Sequence, residues 1–249
     1  MYSDTMFAKV KSVRKFSCAQ NWTDGQGYTL FYPMKSKGEA PTTISRMVHD
    51  MKAIPEVIVT DGAGEERGRV WQAEVNKLRS RQHWTEPYSA WQNRAERDIQ
   101  EVKKGIRRAT LRSRAPKRLW CYCGEWVAAI RRLTAHDNPV LNNLTAEEHV
   151  HARTPDISAY AMFDWYQPVW YIDPVEQGVD SRRKMGRWIG VAEHFGAPMC
   201  YFVLPKSGRP IARSSVFHVT REDLLSLEAQ TERSRCGFTK AIKEKHANG

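Results

Sequence analysis

The order in which strand-like and helix-like segments follow one another along this chain constrains its fold most. Short aromatic and apolar runs come first, and the turn signal Asp24-Gly25-Gln26-Gly27 lies between two of them. The predicted elements, in chain order, are strands at 2–10, 16–22 and 28–32, a helix within 39–51, a buried strand at 56–60, a helix within 66–80, and a strand or extended loop at 82–88. This succession predicts an α/β sheet that starts as an antiparallel meander and is flanked by helices.

A long basic helix is predicted to follow this sheet. Its apolar residues recur every three or four positions, as in one buried helix stripe: Trp91, Ala95, Ile99, Val102, Ile106 and Ala109. Glu96 lies one residue off that stripe, and the next turns carry Lys103, Lys104, Arg107 and Arg108. A single helix glutamate is most often solvated, and a basic helix face can be solvated or can meet phosphates. Both interpretations of the basic face remain open at this point.

The second half of the chain predicts a helical segment and then a small antiparallel β unit. The predicted elements are a helix at 117–133, a capping box at Thr145 and Glu148, an irregular aromatic stretch at 154–171, and strands at 188–191, 199–204 and 211–219. The aromatic side chains could stack on bases, but packing against the preceding helix is the favoured interpretation. The predicted domains are a core at 1–115, an extension at 116–175, a β unit at 176–220 and a basic tail, helical to disordered, at 221–249.

Charge and composition limit the possible partners. Lys and Arg number 39 against 28 Asp and Glu, a net charge of +11. This excess indicates a polyanionic partner, and nucleic acid is favoured over a membrane because no apolar run approaches the roughly 20 residues that span a bilayer. The chain shows no signal peptide, and its five cysteines are scattered, which predicts reduced thiols inside a cell. Cys121 and Cys123 are too close for the usual zinc knuckle.

Three acidic residues occupy positions that a sheet of this order can bring to one edge. Asp4 lies on the first strand, Asp61 follows the strand at 56–60, and Glu96 lies on the long helix. Converging carboxylates repel one another and suit Mg²⁺ or Mn²⁺, and two such ions about 4 Å apart promote phosphodiester displacement. Asp24 competes for the first position, but it falls in a predicted hairpin turn. The neighbouring acids Glu65, Glu66 and Asp98 are predicted to be solvated.

Four sequence segments carry a resemblance to a known family. They are Thr60-Asp61-Gly62-Ala63 with Glu65 close behind, the stretch from Glu86 to Glu96 that contains Gln92-Asn93, Ala115 to Trp120, and Thr154 to Ser158. Together they resemble the integrase region of copia-type retrotransposons, and Gly186 to Gly190 and Ser214 to Val216 are similar to the segment after its core. The Gln-Asn-x-x-Glu pattern at its distance from Asp61 is the most specific part.

The resemblance implies a ribonuclease H-like fold and a metal-dependent integrase. Asp4 would bridge two Mg²⁺ or Mn²⁺ ions, with Asp61 completing one site and Glu96 the other. Lys103 and Arg107, with Lys104 and Arg108 beside them, would meet DNA phosphates. The substrates would be the ends of element DNA and the target DNA, handled by a homo-oligomer in the nucleus.

The chain also departs from the family pattern. The amino-terminal zinc-binding module has no counterpart before Asp4, and the gap from Asp61 to Glu96 is one residue shorter than the commonest spacing. We therefore expect part of a longer polyprotein, and an inactive DNA-binding remnant is the alternative to an active integrase. A nuclease of the same fold that cuts without joining is a third interpretation.

Overall fold

The computed structural model describes residues 1–62, 64, 66–86, 94–135, 137–174, 183–196, 199–220 and 222–223. The chain forms two compact units. The first unit comprises Met1–Arg108 and Gly124–Pro155, and the second comprises Ala109–Cys123 and Asp156–Gly249. The two units therefore interleave along the sequence, and neither corresponds to one continuous segment.

A five-stranded mixed sheet forms the centre of the first unit. Its strands are β1 (Tyr2–Phe7), β2 (Cys18–Thr23), β3 (Thr29–Met34), β4 (Val57–Thr60) and β5 (Arg81–Trp84). They lie in the order β3-β2-β1-β4-β5, with β1, β2 and β3 antiparallel and β4 and β5 parallel to β1. The predicted meander and the α/β class are confirmed, and the sheet has the strand order of a ribonuclease H-like fold.

Helices cover both faces of this sheet. They are α1 (Thr42–Met51), α2 (Arg69–Leu78), α3 (Arg94–Ser113), α4 (Trp120–Leu133) and α5 (Ala146–His151). On one face, Trp22 of β2 stacks on Trp71 of α2 with ring centroids 5.8 Å apart, and its indole N–H donates to Thr43 of α1. On the other face, the Phe31 ring of β3 packs against Gly124 of α4.

Two local predictions in this unit can be compared with the structure. The capping box is confirmed, since Thr145 Oγ1 accepts from the Glu148 N–H while the Glu148 carboxylate accepts from the Thr145 N–H. The long helix is described from Arg94, so its predicted start at Trp91 and the Gln92-Asn93 pair lie outside the described residues.

The second unit contains a five-stranded antiparallel sheet. Its strands are β6 (Pro168–Ile172), β7 (Arg183–Val191), β8 (Tyr201–Pro205), β9 (Ile211–Arg213) and β10 (Val216–His218), in the order β10-β6-β7-β8-β9. Phe163 lies in its core, with its ring centroid 5.3 Å from that of Tyr201 and 6.2 Å from that of Trp188. The small antiparallel β unit is therefore confirmed, and its core is aromatic.

The structure corrects two predictions for this region. The stretch 154–171 is not irregular throughout, because it contains the short helix α6 (Ser158–Ala161) and most of β6. Strand β6 alternates buried and less buried residues, as an antiparallel strand with one covered face does. The strand predicted at 211–219 is two short strands, since Ser214 and Ser215 separate β9 from β10. Within the described ranges, no helix is both long and apolar enough to cross a membrane.

Candidate active site

Asp4 and Asp61 lie on neighbouring parallel strands. Strand β1 pairs with β4 in the register that sets Tyr2 beside Val59, so Asp61, directly after β4, comes level with Asp4. On the reverse face of β1, Ser3 and Thr5 both hydrogen-bond the buried Gln20 side chain, at 2.5 and 2.7 Å. Because side chains alternate along a strand, Asp4 points to the opposite face. Asp4 is half-buried and Asp61 is exposed.

Glu96 reaches the same region from helix α3. It lies in the first described turn of that helix, next to the buried Ala95, and its own side chain is exposed. The Arg94 guanidinium lies 5.7 Å from the centroid of the Tyr2 ring, which is on the Asp4 face of β1. Arg94, the first described residue of α3, thus lies close to the strand that carries Asp4.

Asp61 and Glu96 both act on the ionisation of Asp4. The pKa of the Asp4 carboxyl is raised to about 6, first by burial and to a smaller extent by the charges of Asp61 and Glu96, while the Thr5 N–H and Lys37 lower it. The Thr5 N–H donates to Asp4 Oδ1 at 2.6 Å. Asp61 and Glu96 therefore lie within electrostatic range of Asp4.

The donor set fits a divalent cation of the hard type. Carboxylate oxygens are the ligands that Mg²⁺ and Mn²⁺ prefer, and a bound cation would offset both the burial of the Asp4 carboxylate and the nearby charges of Asp61 and Glu96, which raise its pKa. Among the described residues, however, no three His, Cys, Asp or Glu side chains are close enough to form a ready-made metal site. The three acids therefore lie within electrostatic range of one another without being gathered as tightly as coordination requires.

A fourth acid, Glu66, lies beside Asp61. The sequence predicted a solvated side chain, but Glu66 is only 2% exposed. Burial raises the pKa of Glu66 to about 9, and a hydrogen bond to the Asp61 carboxyl and the charges of Asp61 and Asp4 act in the same direction. The Glu66 carboxyl therefore ionises less readily than that of an ordinary glutamate. No periodicity marks this residue, because it lies in the polar loop before α2; its closeness to Asp61 in sequence was the only signal.

Asn21 is a second buried polar residue that the sequence did not single out. It lies on β2 directly opposite Asp4, so the two side chains share one face of the sheet. Asn21 is fully buried, and neither Nδ2 nor Oδ1 has a hydrogen-bond partner among the described residues. Its amide thus completes the polar surroundings of Asp4 from the neighbouring strand.

The predicted basic residues are exposed along α3. Lys103, Lys104, Arg107 and Arg108 are all exposed, and Lys104 forms an ion pair with Glu101 at 2.7 Å. Helical geometry places Lys103 two turns beyond Glu96 and Arg107 three turns beyond it, on nearly the same side. The helix thus presents a row of cations that starts near the three acids. A contact of these residues with DNA remains a prediction.

Two other acids considered from the sequence, Asp24 and Asp98, have structural roles. Asp24 lies in the turn between β2 and β3, where its Oδ1 accepts from the N–H groups of Gln26 and Tyr28, as a turn residue does. Asp98 was predicted to be solvated, but it is 8% exposed and pairs with Arg131 of α4 at 3.0 Å. It is buried because α4 covers that side of α3. Glu65 lies outside the described residues.

Comparisons with known proteins agree with this fold. No protein-family model matches the chain, and no curated protein matches it. A chain of the simian T-cell lymphotropic virus intasome, solved in complex with the PP2A regulatory subunit B56 gamma, superposes with a TM-score of 0.50 at 16% identity, covering 87% of this chain and 77% of that one. The HTLV-2 integrase catalytic core domain, solved in a trimeric form with magnesium, gives a TM-score of 0.45 at 18% identity, covering 60% of this chain and 93% of that one. The chain therefore shares its fold with the intasome chain, which agrees with the ribonuclease H-like strand order of the first unit.

Proposed function

We propose that this chain is an integrase-type enzyme that breaks and joins DNA phosphodiester bonds with the help of divalent metal ions. The observation that carries the proposal is that Asp61, directly after β4, and Glu96, on α3, lie near enough to Asp4 of β1 for their charges to act on its ionisation. An integrase-like fold alone would be compatible with many activities. Three acids within electrostatic range of one another add the chemistry.

The three acids would hold the metal ions. Asp4, Asp61 and Glu96 would together supply the carboxylate ligands of two divalent cations. Bound Mg²⁺ or Mn²⁺ ions would supply activation of the attacking oxygen and stabilisation of the leaving oxygen. Burial of Asp4 and the hydrogen bond on Asp61 keep these two carboxylates oriented, whereas the exposed Glu96 can approach from α3.

The basic row of α3 would hold the DNA backbone. Lys103 and Arg107 are exposed on the side of the helix that carries Glu96, so a phosphate backbone lying along them would lead toward the three acids. Lys104 and Arg108 flank that row. The net charge of +11 favours association with DNA of any sequence.

The finer assignment follows the resemblance to copia-type retrotransposons. On this basis the substrates are the ends of an element DNA and a target DNA, and the site of action is the nucleus. The simian viral chain comes from an intasome. We extend that likeness to the proposal that several copies of this chain assemble on DNA.

A charge-neutral substitution of Glu96 tests the proposal. Glu96→Gln should abolish Mg²⁺-dependent nicking of duplex DNA and leave DNA affinity equal or higher, because a ligand is lost while one negative charge near the phosphates is removed. The matched control is Glu101→Gln, the same change on the same helix at a residue that pairs with Lys104. Unchanged nicking by Glu96→Gln would remove Glu96 from the site. A parent chain that binds DNA and never cuts it would favour the alternative, a DNA-binding remnant without chemistry.

A further inference from the structure

Asn21 is a polar side chain buried in the middle of a strand, at a position that an apolar residue could fill. It lies on β2 and is fully enclosed by protein, with a relative exposure of 0%. Neither its amide nitrogen Nδ2 nor its amide oxygen Oδ1 has a hydrogen-bond partner among the described residues. A buried amide loses its bonds to water on folding and is nearly always paired within the protein, so both unpaired atoms of Asn21 need a physical reason.

Neighbouring buried polar side chains show what a structural role looks like in this sheet. Gln20, on the opposite face of β2, donates to Ser3 at 2.5 Å and accepts from Thr5 at 2.7 Å. Thr29 of β3, on the same face as Asn21, donates to the Gly27 carbonyl at 3.2 Å. Both side chains stabilise the fold through hydrogen bonds, whereas the Asn21 amide contributes none within the described part of the chain.

Strand register places the Asn21 side chain beside the candidate metal site. Asn21 is directly opposite Asp4 of β1, and side chains in such a pair share one face with Cβ atoms about 4.5 to 5.5 Å apart. On its other side Asn21 is opposite Phe31 of β3, whose ring packs against Gly124. Asp4 Oδ1 accepts from the Thr5 N–H at 2.6 Å, and a carboxylate can accept about four hydrogen bonds. Rotation of the Asn21 side chain can therefore bring an amide N–H to a carboxylate that has capacity for a second donor.

We propose that Asn21 is a positioning residue for Asp4, to which its amide N–H donates a hydrogen bond when Asp4 binds a metal ion. This inference rests on the proposed function, since it takes Asp4 as a metal ligand. A donor behind a ligating carboxylate fixes the direction of its oxygens, and loss of such a partner typically weakens metal affinity by roughly 10- to 100-fold. The amide thus lowers the stability of the metal-free protein and is paired in the metal-bound protein.

Two substitutions of nearly equal shape separate the hydrogen bond from the packing. Asn21→Val removes the donor, and Asn21→Thr keeps a hydroxyl donor of the kind that bonds across neighbouring strands. Valine and threonine are both favourable in strands, so both chains should fold. Thr29→Val is the matched control, because it removes a buried hydroxyl from the same face of the sheet at a residue that already has a partner.

Urea unfolding in EDTA tests whether the amide is unpaired in the metal-free protein. Asn21→Val should raise the urea midpoint because it removes a buried polar group that has no partner, whereas Thr29→Val should lower it because a hydrogen bond is lost. An Asn21→Val midpoint at or below that of the parent would show that the amide already supports the fold. That result would overturn the inference and would leave the proposed function standing.

Mn²⁺ binding to the DNA-free protein tests whether the amide serves the metal site, and it is measured by calorimetry and by the electron paramagnetic resonance of free Mn²⁺. We expect Asn21→Val to weaken binding by roughly 10-fold or more, Asn21→Thr to bind at least about threefold more tightly than Asn21→Val, and Thr29→Val to bind like the parent. Parental affinity in Asn21→Val, or equal affinities of the two Asn21 variants, overturns the positioning role alone. A parent that binds no Mn²⁺ contradicts the proposed function and with it the role of Asn21.

The hydrogen bond itself has a spectroscopic signature. The Asn21 side-chain amide gives two proton resonances, which the spectrum of Asn21→Thr identifies because it lacks them. During titration with Mg²⁺, which is diamagnetic, one of the two resonances should move downfield as the bond to Asp4 forms. Resonances that stay in place while Mg²⁺ binds would overturn the inference.

Discussion

Gly105 of α3 lies so close to Val127 of α4 that a Cβ atom at Gly105 would be 2.5 Å from Val127 Cγ1. Gly105 is in the middle of the helix that carries Glu96 and the basic row, where glycine is otherwise unfavourable. Close approach of the two helices is therefore the reason for a glycine at this position.

Substitution of this glycine should reveal that constraint. Gly105→Ala gains about 1 kcal/mol of helix propensity but forces a methyl group into the stiff, β-branched Val127, so we expect a net loss of roughly 1 to 2 kcal/mol in the free energy of unfolding. Urea unfolding measures it. Gly105→Ala combined with Val127→Ala should recover most of that loss relative to Val127→Ala alone. A stabilising Gly105→Ala would show that α3 and α4 are farther apart than described.

The buried ion pair of α3 and α4 makes a second prediction. Arg131→Met leaves the Asp98 carboxylate buried opposite a thioether, so we expect a loss of roughly 3 kcal/mol in the free energy of unfolding near neutral pH, the usual cost of removing one partner of a buried pair. Asp98→Asn in the same chain should restore much of it, because no uncompensated charge is then buried. Thermal and urea unfolding of the single and double variants decide this. If the Arg131→Met chain is as stable as the parent, the Asp98 side chain is solvated and does not depend on its pairing with Arg131.

The pKa of Asp4 predicts how the metal-free protein responds to pH. The folded-state value of about 6 exceeds the ordinary value of 3.8, so the folded protein binds the proton more tightly, and the contribution of Asp4 to stability falls as pH rises through that window. Asp4→Asn resembles the protonated form. In EDTA it should therefore be more stable than the parent by roughly 2 to 3 kcal/mol above about pH 7 and equal to it below about pH 4.

Urea unfolding across that pH range is the measurement, and added Mg²⁺ provides its control. The cation should remove the advantage of Asp4→Asn, because only the parent gains from binding it. The groups that act on Asp4 are Asp61, Glu96 and Lys37. A stability difference that does not change with pH would contradict the raised pKa.

The basic row of α3 predicts a salt-dependent effect on DNA affinity. Lys103→Ala and Arg107→Ala should each lower the slope of log affinity against log salt by about one, and the double variant by about two, with equal effects on unrelated sequences. Fluorescence anisotropy with random duplexes at several salt concentrations measures this. Lys77→Ala of α2, an exposed lysine paired with Glu74, is the matched control. Unaltered slopes would identify these residues as a solvated helix face.

Much of the first unit could be predicted from sequence because hydrophobic periods report burial directly. Strands β1 to β4 and helices α1 and α2 each carry such a period, and the order of these elements was enough to predict an α/β sheet that could bring Asp4 and Asp61 to one edge. Strand β6 was missed because Pro168 and the dense aromatic residues around it obscure its alternation. The start of α3 lies outside the described residues.

Other features depend on contacts between residues far apart in sequence. Asp98 is buried because Arg131, on another helix, pairs with it, and Gly105 is required by Val127. Glu66 lies in a loop whose conformation no local pattern specifies, so its burial beside Asp61 emerged only from the structure. A strand has a hydrophobic periodicity that can be detected in the sequence, whereas a single buried loop residue such as Glu66 has none.

Joining of DNA strands tests the central claim most directly. A branched DNA that mimics the joined product needs no knowledge of the element ends, and its resolution in Mn²⁺ requires a phosphodiester bond to be broken and another to be formed at one site. We predict that the parent and Glu101→Gln resolve and rejoin this substrate and that Glu96→Gln does neither while it still binds DNA. Equal activity of Glu96→Gln and the parent, or a parent that binds the branched DNA and leaves it intact, would contradict an active site built from Asp4, Asp61 and Glu96.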